Sequence, residues 1–598
     1  MNLRLFLCLL LAGGLLTLCK ESDSAGTEAT ATVDPSTLSF KRTDNTVRIG
    51  IRTEPPGLNP ILSTQASARY VSEMVFQTLT SQHPQTYEQV PNLASVADIS
   101  KEANGGVAYA YVLDEQATWP NGMPITATDV IFSLKVVLHP LVASGAYRPY
   151  YAAVTNIVTS PNNEKRFKVM TSGPYLLAEQ ALGSLTIYPE YAYDPEGLLR
   201  KVPLTDFTNA AKIEKLAESD PDLKAFAEFF SAPERGHDPE LVVGSGPYQL
   251  VSWEEGQRIT LERKPNYWGM KKNEEWLAAR PESIVFEIIP DDNTMANALR
   301  DELVDVVVDM GVDQFKELHN DEFLQQRYSF SAVPSFKYFS ILLNQQNPLF
   351  REVETRRAMA YLMDIDAMIE QIFSKDLATR VASPVLPAKS YYHDGLELIP
   401  YNPERATELL SAAGWTDTNG DGTVDKEIDG KREELSFEFL IFPSPAGESV
   451  GTLVAEWAKA VGVDIRVVRQ DVRALYGELN KGNFAMALTG FGFDPNPDDF
   501  TQVWASTSVP PNGTNRGGFN NPEADQLIKK IRVTLDDASR APLYRRFQEI
   551  VYENQPMVFL FSPKDRVVVS KRFNFEAKSI APNVSFNALA QEEWNQGK

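Results

Sequence analysis

Cysteine is almost missing from this chain of 598 residues. Only Cys8 and Cys19 occur, both within the first twenty positions. The body of the chain therefore has no structural disulfide and no cysteine-ligated metal. Histidine is nearly as scarce. His83, His139, His237, His319 and His393 stand singly, none at metal-ligand spacing from another, and no HExxH occurs. Basic residues are outnumbered: 57 Lys and Arg face 80 Asp and Glu, a net charge of −23. An acidic molecule repels phosphate backbones and anionic headgroups, which excludes nucleic acid as a partner. Beyond the N-terminus there is no long apolar run, and mean hydropathy is −0.26. That excludes a polytopic membrane protein. No internal repeat with a period of roughly 20–50 residues is visible, which argues against solenoids and propellers. What is present is 43% hydrophobic, 10% aromatic and 23% charged residues. This is a globular composition, and at ~150 residues per domain the length suggests about four domains or fewer large ones.

The first residues read as an address. Arg4 supplies a positive start, and Leu5 to Leu18 is apolar and uncharged. The run is short for a membrane span and fits a secretory signal. It closes on Leu16-Thr17-Leu18-Cys19, which resembles a bacterial lipobox. On that reading residues 1–18 are a signal peptide and Cys19 becomes the lipidated first residue, anchored to the membrane outside the cytoplasm. The alternatives are an ordinary signal cut elsewhere or an uncleaved anchor. Residues 19–44 are rich in Ser, Thr, Ala and acids. They cannot bury enough apolar surface to fold and are expected to form a flexible tether.

From residue 45 onward short strand patterns alternate with helical ones. Thr46–Ile51 and Leu435–Phe442 have period two, and Ile284–Ile289 reads as another strand. Glu255-Gly256 sits between two apolar runs as a hairpin turn. Thr126-Ala127-Thr128-Asp129 has the form of a capping box ahead of a helix at Val130–Leu138. Helical spacing also marks Ala66–Leu79, Asp291–Leu303, Val353–Phe373, Pro403–Ala413 and Ser449–Val461. Such mixing predicts a multi-domain α/β protein whose chain crosses between lobes. Leu199 to Pro239 is charged and helix-prone, and reads as a surface insertion.

Several segments carry a family resemblance. They are Glu54-Pro55-Pro56-Gly57-Leu58-Asn59-Pro60, Ala117 to Val130, Gly244-Ser245-Gly246-Pro247-Tyr248 and Leu261 to Gly269. Then come Asn344 with Asn347-Pro348-Leu349-Phe350, Arg356-Arg357-Ala358 with Asp364-Ile365-Asp366, and Asn496-Pro497-Asp498-Asp499-Phe500. In this order they resemble the extracytoplasmic solute-binding proteins of ABC importers, in the peptide/nickel-binding family that includes oligopeptide- and dipeptide-binding proteins. The resemblance implies a two-lobed, periplasmic-binding-protein-like α/β fold with an extra subdomain and the ligand in the cleft between lobes. Lobe I would comprise 45–80, 183–328 and 558–598, subdomain II 81–182, and lobe III 329–557. It further implies a monomer without cofactor that captures di- to oligopeptides and delivers them to a permease–ATPase complex. Other ligands of the family are nickel chelates, haem, opines, sugars and cell-wall peptides. A secreted hydrolase is the competing class, but no usable histidine spacing supports a general base or a metal.

The segment Phe491–Phe500 is the expected ligand contact, because it follows an apolar strand at Phe484–Leu488. Peptide-binding relatives place there an Asp that pairs with the ligand's α-amino group. Aligned on Pro497-Asp498-Asp499-Phe500, that position falls on Phe493. Either Asp494 takes the role or the clamp is absent. Further candidates are Gly490 on the same strand end, Glu54 and Pro55 after the first strand, and Trp415, Trp504 and Arg516 near lobe edges. Arg516 suits a ligand carboxylate or a neighbouring acid, and the tryptophans suit core as well as site. Gly244–Tyr248 suits a tight crossing between lobes, and Asn266-Tyr267-Trp268 suits packing. Asp417 to Asp425 resembles the start of a calcium loop, but Ile428 stands where the closing Glu belongs, so a hairpin turn is favoured.

Overall fold

The computed structural model describes residues 40–591. Three larger sheets organise it. The first is seven-stranded and centred on Thr46–Ile51, which pairs in parallel with Ser283–Ile288 on one side and Val306–Val308 on the other. Val47, Ile49 and Ile51 are buried, as period-two patterning on a pleated strand requires. The hairpin Tyr248–Glu254 and Arg258–Arg263 extends one edge, and Asp565–Ser570 with Tyr328–Val333 completes the other.

The second sheet is six-stranded, in the order Ala378–Arg380, Met557–Pro563, Lys337–Leu343, Met486–Gly492, Ser436–Ile441, Asp464–Arg469. Apolar cores cover both of its faces. The third sheet, Ala94–Lys101, Val107–Leu113, Asn163–Thr171 and Val154–Ser160, is antiparallel and four-stranded. The helix Ala127–Leu138 packs beside it, and Thr126 and Asp129 close the expected capping box. This subdomain shares one continuous core with the first sheet. The whole is the two-lobed α/β architecture with an added subdomain. No helix of the described residues is long and apolar enough to cross a membrane.

The chain passes between the two large sheets twice, from Tyr328–Val333 to Lys337–Leu343 and from Met557–Pro563 to Asp565–Ser570. Sheet membership thus changes at 334–336 and at Lys564, whereas the expected divisions stood at 328/329 and 557/558. Ser335 Oγ donates to the Pro563 carbonyl, and Lys337 pairs with Asp565 at 2.6 Å, so the crossings lie side by side.

Four sequence readings are corrected. Leu199–Pro239 is no surface insertion. The helices Ala210–Ser219 and Pro221–Phe230 each bury one face, and Phe226 and Phe230 are wholly inaccessible within the first core. The tether is shorter than 19–44, because Phe40 is buried, Lys41 N donates to Glu302 Oε2 at 2.8 Å and Arg42 reaches Asp305 at 3.1 Å. The signal, Cys19 and the rest of the tether lie outside the described residues. Val353–Phe373 is two helices, Val353–Tyr361 and Ile365–Ile372, parted where Asp364 caps the second by accepting from Ala367 N at 2.9 Å. Gly244–Tyr248 stays inside the first lobe. A Cβ on Gly244 would lie 2.2 Å from the Val75 carbonyl oxygen and one on Gly246 2.7 Å from that of Met74. These glycines let the chain press against the end of the helix Ala66–Val75. The buried Lys264 holds them there, donating to the carbonyls of Gly244 at 2.7 Å and Gly246 at 2.8 Å.

Candidate functional site

The strand Met486–Gly492 positions the site. It pairs with Lys337–Leu343 along its whole length, but with Ser436–Ile441 only at Met486 and Ala487. Among the described residues, its other edge therefore has no strand partner from Leu488 to Gly492. A free edge presents backbone N–H and C=O groups ready to pair with another extended chain.

Beyond the strand, the loop 493–500 is built on a buried ion pair. Lys389 Nζ donates to Asp498 Oδ1 at 2.6 Å and to the Asn496 carbonyl at 2.7 Å. Tyr391 donates to Asp498 Oδ2 at 3.0 Å, and Tyr544 donates to the Asp498 carbonyl at 2.6 Å. Desolvating both charges is costly, and these added hydrogen bonds offset the cost. Asp498 is consumed inside the protein and is no ligand contact.

Phe493 serves as wall. Its N–H donates to the Phe336 carbonyl at 2.7 Å, and its ring stacks on Tyr338 at 5.2 Å. Asp494 differs from its neighbours. It is exposed, and among the described residues its carboxylate accepts no hydrogen bond and forms no ion pair. Its charge is felt at Tyr150 of the subdomain. Burial first, then the charges of Asp494 and Asp499, push the Tyr150 phenol up.

The subdomain meets the second lobe over this loop. Gln82 Nε2 donates to Asn496 Oδ1 at 2.8 Å, and Leu176 N donates to the Arg532 carbonyl at 2.9 Å. The Arg532 guanidinium lies 5.0 Å from the centre of the Tyr175 ring and pairs with Asp499 at 3.3 Å. A cavity of about 260 Å³ opens between Tyr150, Ser172, Tyr175 and Arg532. On the second lobe, a cavity of about 170 Å³ lies against Thr489–Gly492, closed by Tyr476, Trp504 and Arg516.

Of the residues singled out from sequence, Gly490, Trp504 and Arg516 come together in that smaller cavity, and Phe493 and Asp494 lie just past the same strand end. Trp504 is also core, packed edge-on to Phe519 and Phe547. Glu54, Pro55 and Trp415 do not join them. Glu54 accepts from the Trp253 indole at 2.7 Å and from Gly256 N at 3.1 Å, pinning the hairpin, while Pro55 is buried beside it in the chain. Trp415 is core, 2% exposed, and donates to Thr355 Oγ1 at 3.0 Å. Tyr267 and Trp268 are packing residues as expected, both bonded to Gln77. In the calcium-like loop, Asp417 accepts from the N–H groups of Gly420 and Gly422 and Asp425 accepts from Thr418, ahead of the hairpin Asp425–Ile428 and Lys431–Glu434. Sequence reasoning missed Tyr150, Tyr175, Lys389 and Tyr476. They come from four distant segments, and none sits in a recognisable motif.

Comparison with known proteins agrees with this fold. The model for the middle region of the bacterial extracellular solute-binding proteins, family 5, matches residues 88–512. The oligopeptide-binding protein AppA of Bacillus subtilis is 24% identical over 536 residues, covering 87% of each chain. Heme-binding protein A of Haemophilus influenzae is 25% identical, covering 96% of this chain and 98% of its own. The solved structure of the Bacillus subtilis AppA with a nonapeptide superposes with a TM-score of 0.66 at 21% identity, over 92% of this chain and 99% of that one.

Proposed function

Since the chain belongs to the bacterial extracellular solute-binding proteins of family 5, we propose that it captures peptides between its lobes and presents them to an ABC permease–ATPase complex. It does so as a carrier and not as a catalyst, as a monomer tethered through a lipid on Cys19. The observation that carries the reading is the unpaired edge of Leu488–Gly492 running out at the uncommitted carboxylate of Asp494. A peptide laid along that edge adds a strand through main-chain hydrogen bonds, which are indifferent to side-chain identity. Its α-ammonium then meets Asp494, in place of the clamp that Phe493 has displaced. Shielded from water by the peptide and the closing lobes, a charge-assisted bond of this kind contributes roughly 1.5–3 kcal/mol. The relatives named for oligopeptide binding support the choice of peptide.

Native mass spectrometry of the mature body, before and after exposure to a mixed peptide pool, tests this. Peptide-sized adducts that weaken about tenfold or more in Asp494→Ala are expected. Adducts indifferent to that change would remove the clamp while leaving peptide capture intact. No adduct at all would remove the peptide and turn attention to metal chelates, haem, sugars and opines.

A further inference from the structure

The cavity on the second lobe contains a cation with no anion to match it. Arg516 stands half-buried in its wall. Its Nε donates to Asn480 Oδ1 at 2.7 Å, and its guanidinium lies 4.8 Å from the centre of the Tyr476 ring. Those neutral contacts orient the group without neutralising it. Among the described residues, no carboxylate comes within ion-pair distance of Arg516, and neither terminal nitrogen has a hydrogen-bond partner. Burial lowers its pKa, the sign expected of a charge desolvated without compensation.

Three other polar side chains of the cavity are committed elsewhere. Asn515 is spent on Ala505 and Phe519, Thr489 is bonded to Ser340, and Thr514 to Gln502. Among the described residues, Arg516 is thus the one charged group of the cavity, set among the rings of Trp504, Phe519 and Phe491. The volume of about 170 Å³ is of the order of the engineered cavities that accept a benzene molecule, about 150 Å³. It suits one side chain or one chain terminus. It also abuts Gly490 and Gly492, where no side chain screens the opening strand edge.

We propose that this cavity is a carboxylate subsite: Arg516, through its two free terminal nitrogens, receives an acidic group of the bound peptide. A planar guanidinium matches a carboxylate with two parallel hydrogen bonds. The carboxylate comes from an Asp or Glu side chain or from the peptide's C-terminus. The inference rests on the peptide reading above and adds a preference for acidic ligands, notable in a protein whose net charge of −23 disfavours them at long range.

Calorimetric titration with two sets of matched peptides separates the sources. One set exchanges Glu for Gln at each position in turn, and the other compares a free C-terminus with its amide. Wild type is compared with Arg516→Gln, Arg516→Lys and Asn480→Ala, each checked for an unchanged unfolding midpoint without ligand. One set is expected to discriminate by about tenfold or more in wild type. The discrimination should vanish in Arg516→Gln, survive in part in Arg516→Lys, and shrink in Asn480→Ala, where the charge remains but its orientation is lost. Discrimination in the Glu/Gln set assigns a side chain, and in the acid/amide set the terminus. Equal affinities in both sets, or discrimination unchanged in Arg516→Gln, overturn the subsite while leaving peptide capture standing. Failure of every peptide to bind wild type overturns the peptide reading, and the subsite falls with it.

Discussion

Lys264 is a charge enclosed by its own backbone. Its ammonium lies between two glycine carbonyls at 2.7 and 2.8 Å, and burial lowers its pKa from 10.5 to about 7. The unfolded chain keeps the proton up to its ordinary range near 10.4, so between about pH 7 and pH 10 the unfolded state binds more protons than the folded one. Stability from this residue therefore rises with pH across that window, by at most about 1.4 kcal/mol per pH unit, and is flat below it. Denaturant unfolding of wild type and Lys264→Met at several pH values checks this. The difference between the two should shift in favour of wild type as pH rises, and a difference independent of pH would show that the lysine stays protonated throughout. Lys264 also illustrates what single residues disclose. It lies in the family segment Leu261 to Gly269, so its place was legible, but its partners, nearly twenty positions away, were not. The same holds for Glu54 and Trp415. A motif assigns a residue to a neighbourhood, while the direction of its side chain is settled by what packs around it, here Trp253 for one and Thr355 for the other.

Elements were read well where one periodicity dominated. Thr46–Ile51, the hairpin around Glu255-Gly256, the capping box at Thr126 and the helix Pro403–Ala412 follow from local patterns that tertiary context did not override. The segment from Leu199 to Pro239 is charged and helix-prone, and its charges hide which helical face is buried. Within Pro221–Phe230, Leu223, Phe226, Ala227 and Phe230 recur at helical intervals and form one buried face beneath a charged one. Phe226 meets Phe132 edge-on at 6.0 Å and stacks with Phe230 at 5.6 Å, which binds the segment to the subdomain helix Ala127–Leu138. Phe226→Ala should cost about 3–5 kcal/mol, read as a lowered denaturation midpoint. An exposed insertion would lose no more than about 0.5 kcal/mol. The strand edge at the site was half legible. The apolar run at Phe484–Leu488 announced a strand, but its lack of a partner from Leu488 onward depends on where Ser436–Ile441 ends, a non-local fact absent from any window of sequence.

At the scale of the molecule, two crossings lie side by side at 334–336 and Lys564, bridged by the Lys337–Asp565 pair, a geometry from which the lobes are expected to rotate about one line. The polar contacts that hold the subdomain against the second lobe are Gln82 with Asn496, Leu176 N with the Arg532 carbonyl, and Tyr175 under the Arg532 guanidinium, beside the apolar packing of Tyr87 and Leu176. Partly exposed pairs of this kind contribute at most about 1 kcal/mol each, too little by themselves to keep the cleft shut. A ligand bonded to the strand edge of one lobe and covered by the other would supply the difference, because it binds the closed arrangement more tightly than the open one. Small-angle scattering is therefore expected to give a larger radius of gyration for the ligand-free protein than for the protein saturated with peptide. Arg532→Ala removes the Asp499 pair and the Tyr175 contact but keeps the backbone bond to Leu176. It should weaken peptide binding several-fold by lowering the population of the closed form, with little change in unfolding midpoint, since the Arg532 side chain is 49% exposed. Identical scattering with and without ligand, together with unaltered affinity in Arg532→Ala, would mean that the lobes are held by their own contacts and that the cleft admits its ligand without opening.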